Sequence, residues 1–150
     1  MKIISATPND HRELTQLTFQ SKAYWNYSTD QMDEWREVLT IKPEYIAQNQ
    51  VYKLVSNHQI IAYYSFFSKS ERSVLLDNFF ISPKYIGKGF GRLLLLDFLE
   101  RAKSEGNTSV SLYSDPHSEQ FYLYFGFEVI GQENTSIPGR FLPIMRKMLD

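Results

Sequence analysis

The chain contains no cysteine. Disulfides, thiolate metal ligands and a cysteine nucleophile are therefore excluded. Neither sign of charge is in excess: 16 Lys and Arg stand against 17 Asp and Glu, for a net charge of -1. The overall basic surplus of a nucleic-acid binder is missing, although a local basic patch remains open. No apolar run approaches the roughly 20 residues of a membrane span. The opening MKIISATPND has no hydrophobic stretch of the kind that directs secretion. These absences lead us to expect a cytoplasmic protein with no nucleic-acid or membrane partner. The 3 histidines are scattered without metal-ligand spacing, so no metal is expected. No repeat, low-complexity tract or linker is visible, and 150 residues fit one domain spanning 1–150.

Hydrophobic residues make up 43% of the chain and charged residues 22%, enough to pack a core and to argue against disorder. Aromatics reach 15%, which points to a ring-lined pocket or interface as well as a core.

The local patterns read as strand, two helices, three strands, helix, strand, helix, two strands. Residues 2–5 form the first strand. Thr7 caps a helix with Pro8 at its first position and Asp10 in its first turn, running to about residue 21 with Leu14, Leu17 and Thr18 on one stripe. Ser28 and Gln31 make a capping box for a second helix that buries Met32, Trp35, Val38 and Leu39, and Pro43 ends that region. Strands at 51–55 and 59–67 meet around Asn57-His58, and a third at 73–81 follows a polar turn at 68–72. Short connections predict antiparallel pairing here. A helix over 89–104 carries Phe90, Leu93, Leu94, Phe98 and Ala102 on one side and ends at Gly106. A strand at 109–113, a helix at 115–125 capped by Asp115, a strand beginning over 127–130 and a last strand at 141–148 complete an α+β chain with a mixed sheet.

Two segments carry chemistry. In the first, the strand ending Phe79-Phe80-Ile81 delivers Ser82-Pro83 and then Gly87-Lys88-Gly89-Phe90-Gly91-Arg92 into a helix N-terminus. Glycines allow close backbone approach, and free N–H groups with the helix dipole favour an anion. Lys88 and Arg92 add positive charge. A tight turn without a ligand is the competing reading. The spacing matches neither a Walker A loop nor a dinucleotide fingerprint. In the second segment, Asp115 opens a helix that carries Phe121-Tyr122 and ends at Gly126-Phe127. Ser114, Asp115 and His117 are too close in sequence, at a helix start, to form a catalytic triad.

Together the two segments resemble the GNAT superfamily of acyl-CoA-dependent N-acyltransferases. That family has a V-x-P-x-x-R/Q-x-x-G-x-G/A stretch, matched by residues 81–91 with Ile86 where Arg or Gln is usual. Its N-x-x-A-x-x-F-Y-x-x-x-G-F stretch is matched by Asp115, Ser118, Phe121, Tyr122, Gly126 and Phe127, with Asp for Asn and Ser for Ala. A branch of the family is also similar at Ser21-Lys22, Trp25 and Tyr27, and at Ser136-Ile137-Pro138-Gly139-Arg140.

The resemblance implies a GNAT-type fold: a mixed, mostly antiparallel sheet flanked by about four helices. It implies acetyl-CoA as acyl donor, its pyrophosphate on Gly87, Lys88, Gly89, Phe90, Gly91 and Arg92, and its pantetheine arm along Phe79, Phe80 and Ile81. Asp115 and His117 lie near the cofactor mouth in the same comparison. Tyr122 aligns with the general acid that protonates the departing thiolate; read alone, it is a core tyrosine on an aromatic helix face. The acceptor amine must also lose a proton. Asp77, a carboxylate in an apolar strand, is the candidate base, with burial expected to raise its pKa. A structural hydrogen bond or a water-facing position is its other reading, and Glu133 or a water chain are alternatives. Trp25, Tyr27 and Arg140 are assigned to the acceptor, the alternative being that Trp25 caps the core and Arg140 forms a surface ion pair. The expected activity is direct acetyl transfer to a small-molecule amine in a ternary complex. The rivals are a non-catalytic CoA-binding sensor and a protein N-terminal or lysine acetyltransferase. A homodimer is compatible with the chain.

Overall fold

The computed structural model describes residues 1–135 and 137–150. Among them are seven strands in one sheet, ordered β1-β2-β3-β4-β5-β7-β6, and six α-helices. The expected mixed sheet is present. Its pairings β1–β2, β2–β3, β5–β7 and β6–β7 are antiparallel, and β4–β5 is parallel. The chain divides into two compact units, Met1–Phe66 with Asn78–Phe98, and Phe67–Asp77 with Leu99–Asp150.

The first unit opens with β1 (Lys2–Ser5) and a 3-10 turn, Pro8–Asp10, that leads into α1 (His11–Ala23). Leu14, Leu17, Thr18 and Ser21 are buried at the i, i+3, i+4, i+7 spacing of one helix face. The Asp10 carboxylate accepts from the Thr7 N–H at 2.8 Å and from Lys53 Nζ at 2.8 Å, tying the helix start to β2 (Gln50–Ser56). Burial alone would raise the Asp10 pKa. The Lys53 and Thr7 hydrogen bonds, with the Lys53 charge, outweigh it and hold the carboxyl below its ordinary value.

The long second helix expected after Ser28 is instead two short ones, α2 (Thr29–Glu34) and α3 (Arg36–Leu39), parted at Trp35. Ser28 Oγ accepts from the Gln31 N–H at 3.1 Å, as its capping role requires. The break resets the helical phase. Leu39 is buried, but Val38 points outward and is 79% exposed. Pro43 does not end the helical region; it opens α4 (Pro43–Gln48), where its missing N–H would have no partner in any case. Leu14, Leu17, Ile41, Ile46, Val51 and Tyr63 form one buried cluster of this unit, with Phe80 packed against it.

β3 (Gln59–Ser70) follows the Asn57-His58 turn, where both residues have positive φ, 51° and 64°. The strand runs further than expected, leaving only two residues for the turn before β4 (Ser73–Ile81). On α5 (Phe90–Ser104), Leu94, Leu95, Phe98 and Ala102 are fully buried, whereas Leu93 is 45% exposed. Leu94, Phe98 and Ala102 are buried as expected, and Leu95 takes the buried place expected of Leu93. Within the first unit, Phe98 meets Tyr64 and Phe66 edge-on at 5.4 and 5.2 Å, and the Tyr64 hydroxyl donates to Asp97 at 2.7 Å.

In the second unit, β4 runs beside β5 (Ser109–Tyr113) from Ser73–Ser109 to Leu76–Leu112, and β4 continues to Ile81. β7 (Phe141–Met148) pairs with β5 on one side and β6 (Glu128–Asn134) on the other. A 3-10 turn, Pro116–Ser118, precedes α6 (Glu119–Tyr124). Among this unit's described residues, Val74, Leu76, Ala102, Val110, Leu112, Tyr122, Phe127 and Met145 are buried apolar side chains.

Candidate active site

The glycine segment keeps the strand-turn-helix form expected of it. After β4, Pro83–Tyr85 makes one 3-10 turn, and α5 begins at Phe90. Gly87 and Gly89 have φ of +82° and +87°, a region L side chains rarely adopt. A Cβ built on either meets no atom within 4 Å, so the loop surface is open above both. The first helical bond here runs from the Leu93 N–H to the Gly89 carbonyl at 3.3 Å. The amides of Phe90, Gly91 and Arg92 precede it, at the positive end of a 15-residue helix. Lys88 and Arg92 are exposed, and Lys88 Nζ stands 5.9 Å from the Tyr85 ring centroid. The segment therefore combines open backbone at the N-terminus of a long helix with two cations, the chemistry that receives a phosphate. Ile86 adds no charge.

Upstream of it, Phe79, Phe80 and Ile81 are half-buried at the end of β4. Phe80 lies 6.0 Å from the Tyr63 ring. Asp77 differs from expectation: it is exposed, so the burial invoked to retune it is missing. β4 alternates, Val74 and Leu76 pointing inward, and Asp77 falls on the other phase. The next residue was overlooked. Asn78 Nδ2 donates to Ser65 Oγ at 2.9 Å and to the Tyr45 hydroxyl at 3.3 Å, and those two hydroxyls are 2.8 Å apart. The signal available in sequence was a pair of polar residues, Ser65 and Asn78, inside otherwise apolar strands.

The second unit holds the phenol. Tyr122 is 6% exposed, its ring 5.2 Å from Phe121 and 5.4 Å from Phe127. Burial pushes its pKa well above the ordinary tyrosine value, and the Asp115 charge adds to the rise. Asp115 is the expected cap: its carboxylate accepts from the His117 N–H at 2.9 Å. The same carboxylate receives Arg140 Nη2 at 3.2 Å. The acceptor assignment of Arg140 therefore meets a guanidinium already paired with Asp115, and the Asp115 carboxylate is likewise engaged. His117 is exposed on its turn. Ser114 Oγ donates to the Asp115 carbonyl at 2.7 Å, in keeping with the exclusion of a triad.

Back in the first unit, Trp25 is 37% exposed and meets Tyr24 edge-on at 5.0 Å. Tyr27 packs edge-on against Trp35 at 4.7 Å, with Lys22 Nζ over both rings. Tyr27 also lines an open groove of about 390 Å³ with Phe19, Ala23, Met32 and Arg36. Ser136 lies outside the described residues. Among the described residues, no group of three or more His, Asp or Glu could hold a metal ion, and no helix is long and apolar enough to cross a membrane.

Comparison with solved structures shows the same fold elsewhere. A PaiA N-acetyltransferase from Thermoplasma acidophilum, in complex with coenzyme A, superposes with a TM-score of 0.80 at 19% identity, covering 98% of each chain. The ribosomal-protein-S18-alanine N-acetyltransferase from Escherichia coli gives 0.77 at 16%, covering 99% of this chain and 94% of that one. An aminoglycoside 6'-N-acetyltransferase complexed with coenzyme A gives 0.73 at 14%, covering 100% and 98%. None of the curated proteins compared with the chain matches it in sequence. Residues 16–148 match the family model of the acetyltransferase (GNAT) domain. The chain therefore belongs to the GNAT acetyltransferase family.

Proposed function

We propose that this chain is a cytoplasmic N-acetyltransferase, one domain over residues 1–150, that moves an acetyl group from acetyl-CoA to the amine of a small molecule by direct attack in a ternary complex. The observation that carries the reading is the loop at 87–92. Gly87 and Gly89 hold positive φ with open space where a Cβ would stand, at the N-terminus of a long helix beside Lys88 and Arg92. Such a cradle fits a pyrophosphate. The backbone of Phe79, Phe80 and Ile81 would hold the pantetheine arm in the manner of an added strand. When bound, acetyl-CoA supplies a thioester-activated acetyl group.

The chain's own residues do the rest. Tyr122 keeps its proton at neutral pH, as a phenol does, and burial makes the phenolate less favourable still. It acts as the donor to the sulfur as the C–S bond breaks and the N–C bond forms. Asp77 takes the proton lost by the acceptor amine, directly or through water; its exposure keeps solvent in contact with that route. Asp115 and His117 flank the donor, and Trp25 and Tyr27 attend the acceptor. The exposed rings of Tyr24 and Trp25 favour a small acceptor over an extended peptide. Thiol release from acetyl-CoA against a panel of small amines and peptides is the test. Release with peptides alone would replace the small-molecule reading, and binding without release would favour the sensor.

A further inference from the structure

We propose that Asp115 and Arg140 form a charge-compensated clamp that positions Tyr122, so that Arg140 serves catalysis through its partner and not by touching the acceptor. The proposal rests on the reading of Tyr122 as proton donor. Its basis is one carboxylate with two tasks. Asp115 Oδ1 accepts from the His117 N–H at 2.9 Å and so fixes the turn that feeds α6. Asp115 Oδ2 accepts from Arg140 Nη2 at 3.2 Å, joining residues 25 apart in sequence. The two side chains are only 17% and 14% exposed.

The backbone of Arg140 is held at both ends. Its N–H donates to the Ile137 carbonyl at 3.1 Å, and its carbonyl accepts from Thr135 Oγ1 at 2.9 Å. On the other side of Asp115, the Ser114 N–H donates to the Pro143 carbonyl at 2.8 Å. The turn before α6 is thus tied to the strand and loop that carry Arg140. Tyr122 is the fourth residue of α6, the helix that follows that turn.

The electrostatics point the same way. The Asp115 charge acts on the Tyr122 phenol. A guanidinium on that carboxylate offsets its field, whereas Asp115 left alone would weaken Tyr122 as a donor. A mostly buried carboxylate stripped of its cation is also a costly element to hold beside a buried helix. Asparagine at position 115 would cap the turn equally well but carry no charge for Arg140 to balance. The clamp therefore predicts that loss of Arg140 is repaired by removing the charge it compensates.

The test compares the wild type with Arg140→Gln, Arg140→Lys and the double variant Asp115→Asn/Arg140→Gln. Two readouts are taken: steady-state kinetics on a working amine, and hydrogen exchange of the amides at 119–124 without donor. Arg140→Gln should lower kcat roughly tenfold while the acetyl-CoA KM changes less than about threefold. It should also speed exchange at 119–124. The double variant should recover most of both losses, and Arg140→Lys, which keeps the charge without the fork, should fall between. Unchanged kcat and exchange in Arg140→Gln would overturn the clamp. So would faster exchange with kcat intact, or a rise confined to the acceptor KM. If the wild type turns over no amine, the acetyltransferase reading fails; the exchange comparison still decides whether the pair holds α6.

Discussion

Tyr122 lies buried within the field of the Asp115 carboxylate, and burial first, then that charge, hold its phenol protonated. The sign of the consequence is definite. A group that must be protonated to act, with a raised pKa, is not lost as pH passes the ordinary tyrosine value near 10. The kcat profile of the wild type should therefore carry no falling limb at about pH 10. A tyrosine-like limb there, absent from Tyr122→Phe, would show an ordinary, solvated phenol.

Tyr122→Phe keeps the ring and its packing against Phe121 and Phe127. Loss of general-acid catalysis should lower kcat by about 10²–10⁴-fold with acetyl-CoA affinity nearly unchanged. Stopped-flow thiol detection and equilibrium binding on the same preparation measure the two. Unaltered turnover would leave Tyr122 as core packing only.

Trp25→Ala should raise the acceptor KM more than the acetyl-CoA KM, because the indole is part-exposed, edge-on to Tyr24, and assigned to the acceptor. An aromatic contact to an amine stem or cation is worth about 0.5–2 kcal/mol, or roughly two- to thirtyfold in KM. Equal effects on both substrates, or a loss explained by a lower melting temperature, would remove Trp25 from the acceptor site.

The Asp10–Lys53 pair gives a prediction independent of catalysis. Folding lowers the Asp10 pKa, so its stabilisation is fully present above the unfolded carboxylate value, near 3.9, and fades as pH falls through the lower folded value. Asp10→Asn should cost about 1.5–3 kcal/mol at pH 7, the range of a charge-assisted hydrogen bond. The cost should shrink below about pH 4. Urea unfolding at both pH values measures it, and a cost that grows with acidity would contradict the assignment.

How much was legible in the sequence depended on whether a feature is local. The bounds of β4 and β7 were readable because apolar runs end at turn residues, and the glycine segment because its chemistry lies within a dozen positions. The break at Trp35 was not, since a change of helical phase leaves no marker between Met32 and Leu39. The capping of Asp115 could be read, but its ion pair with Arg140 could not: a contact across 25 residues has no signature in one sequence. Asp77 shows the remaining failure. A carboxylate among apolar neighbours reads as buried, yet strand alternation places it on the open phase.

Amine-dependent thiol release from acetyl-CoA, measured for the wild type and for Gly89→Glu, tests the central claim most directly. Glutamate at position 89 puts a side chain and a negative charge where the pyrophosphate is assigned, on a backbone with φ of +87°. The variant's melting curve is taken first, because that φ adds about 1–2 kcal/mol of strain. The account predicts release by the wild type only when an amine is present, and a folded variant that has lost both release and calorimetric binding of acetyl-CoA. Binding of equal strength in the folded variant, or a wild type that binds acetyl-CoA yet releases no thiol with any amine, would contradict it.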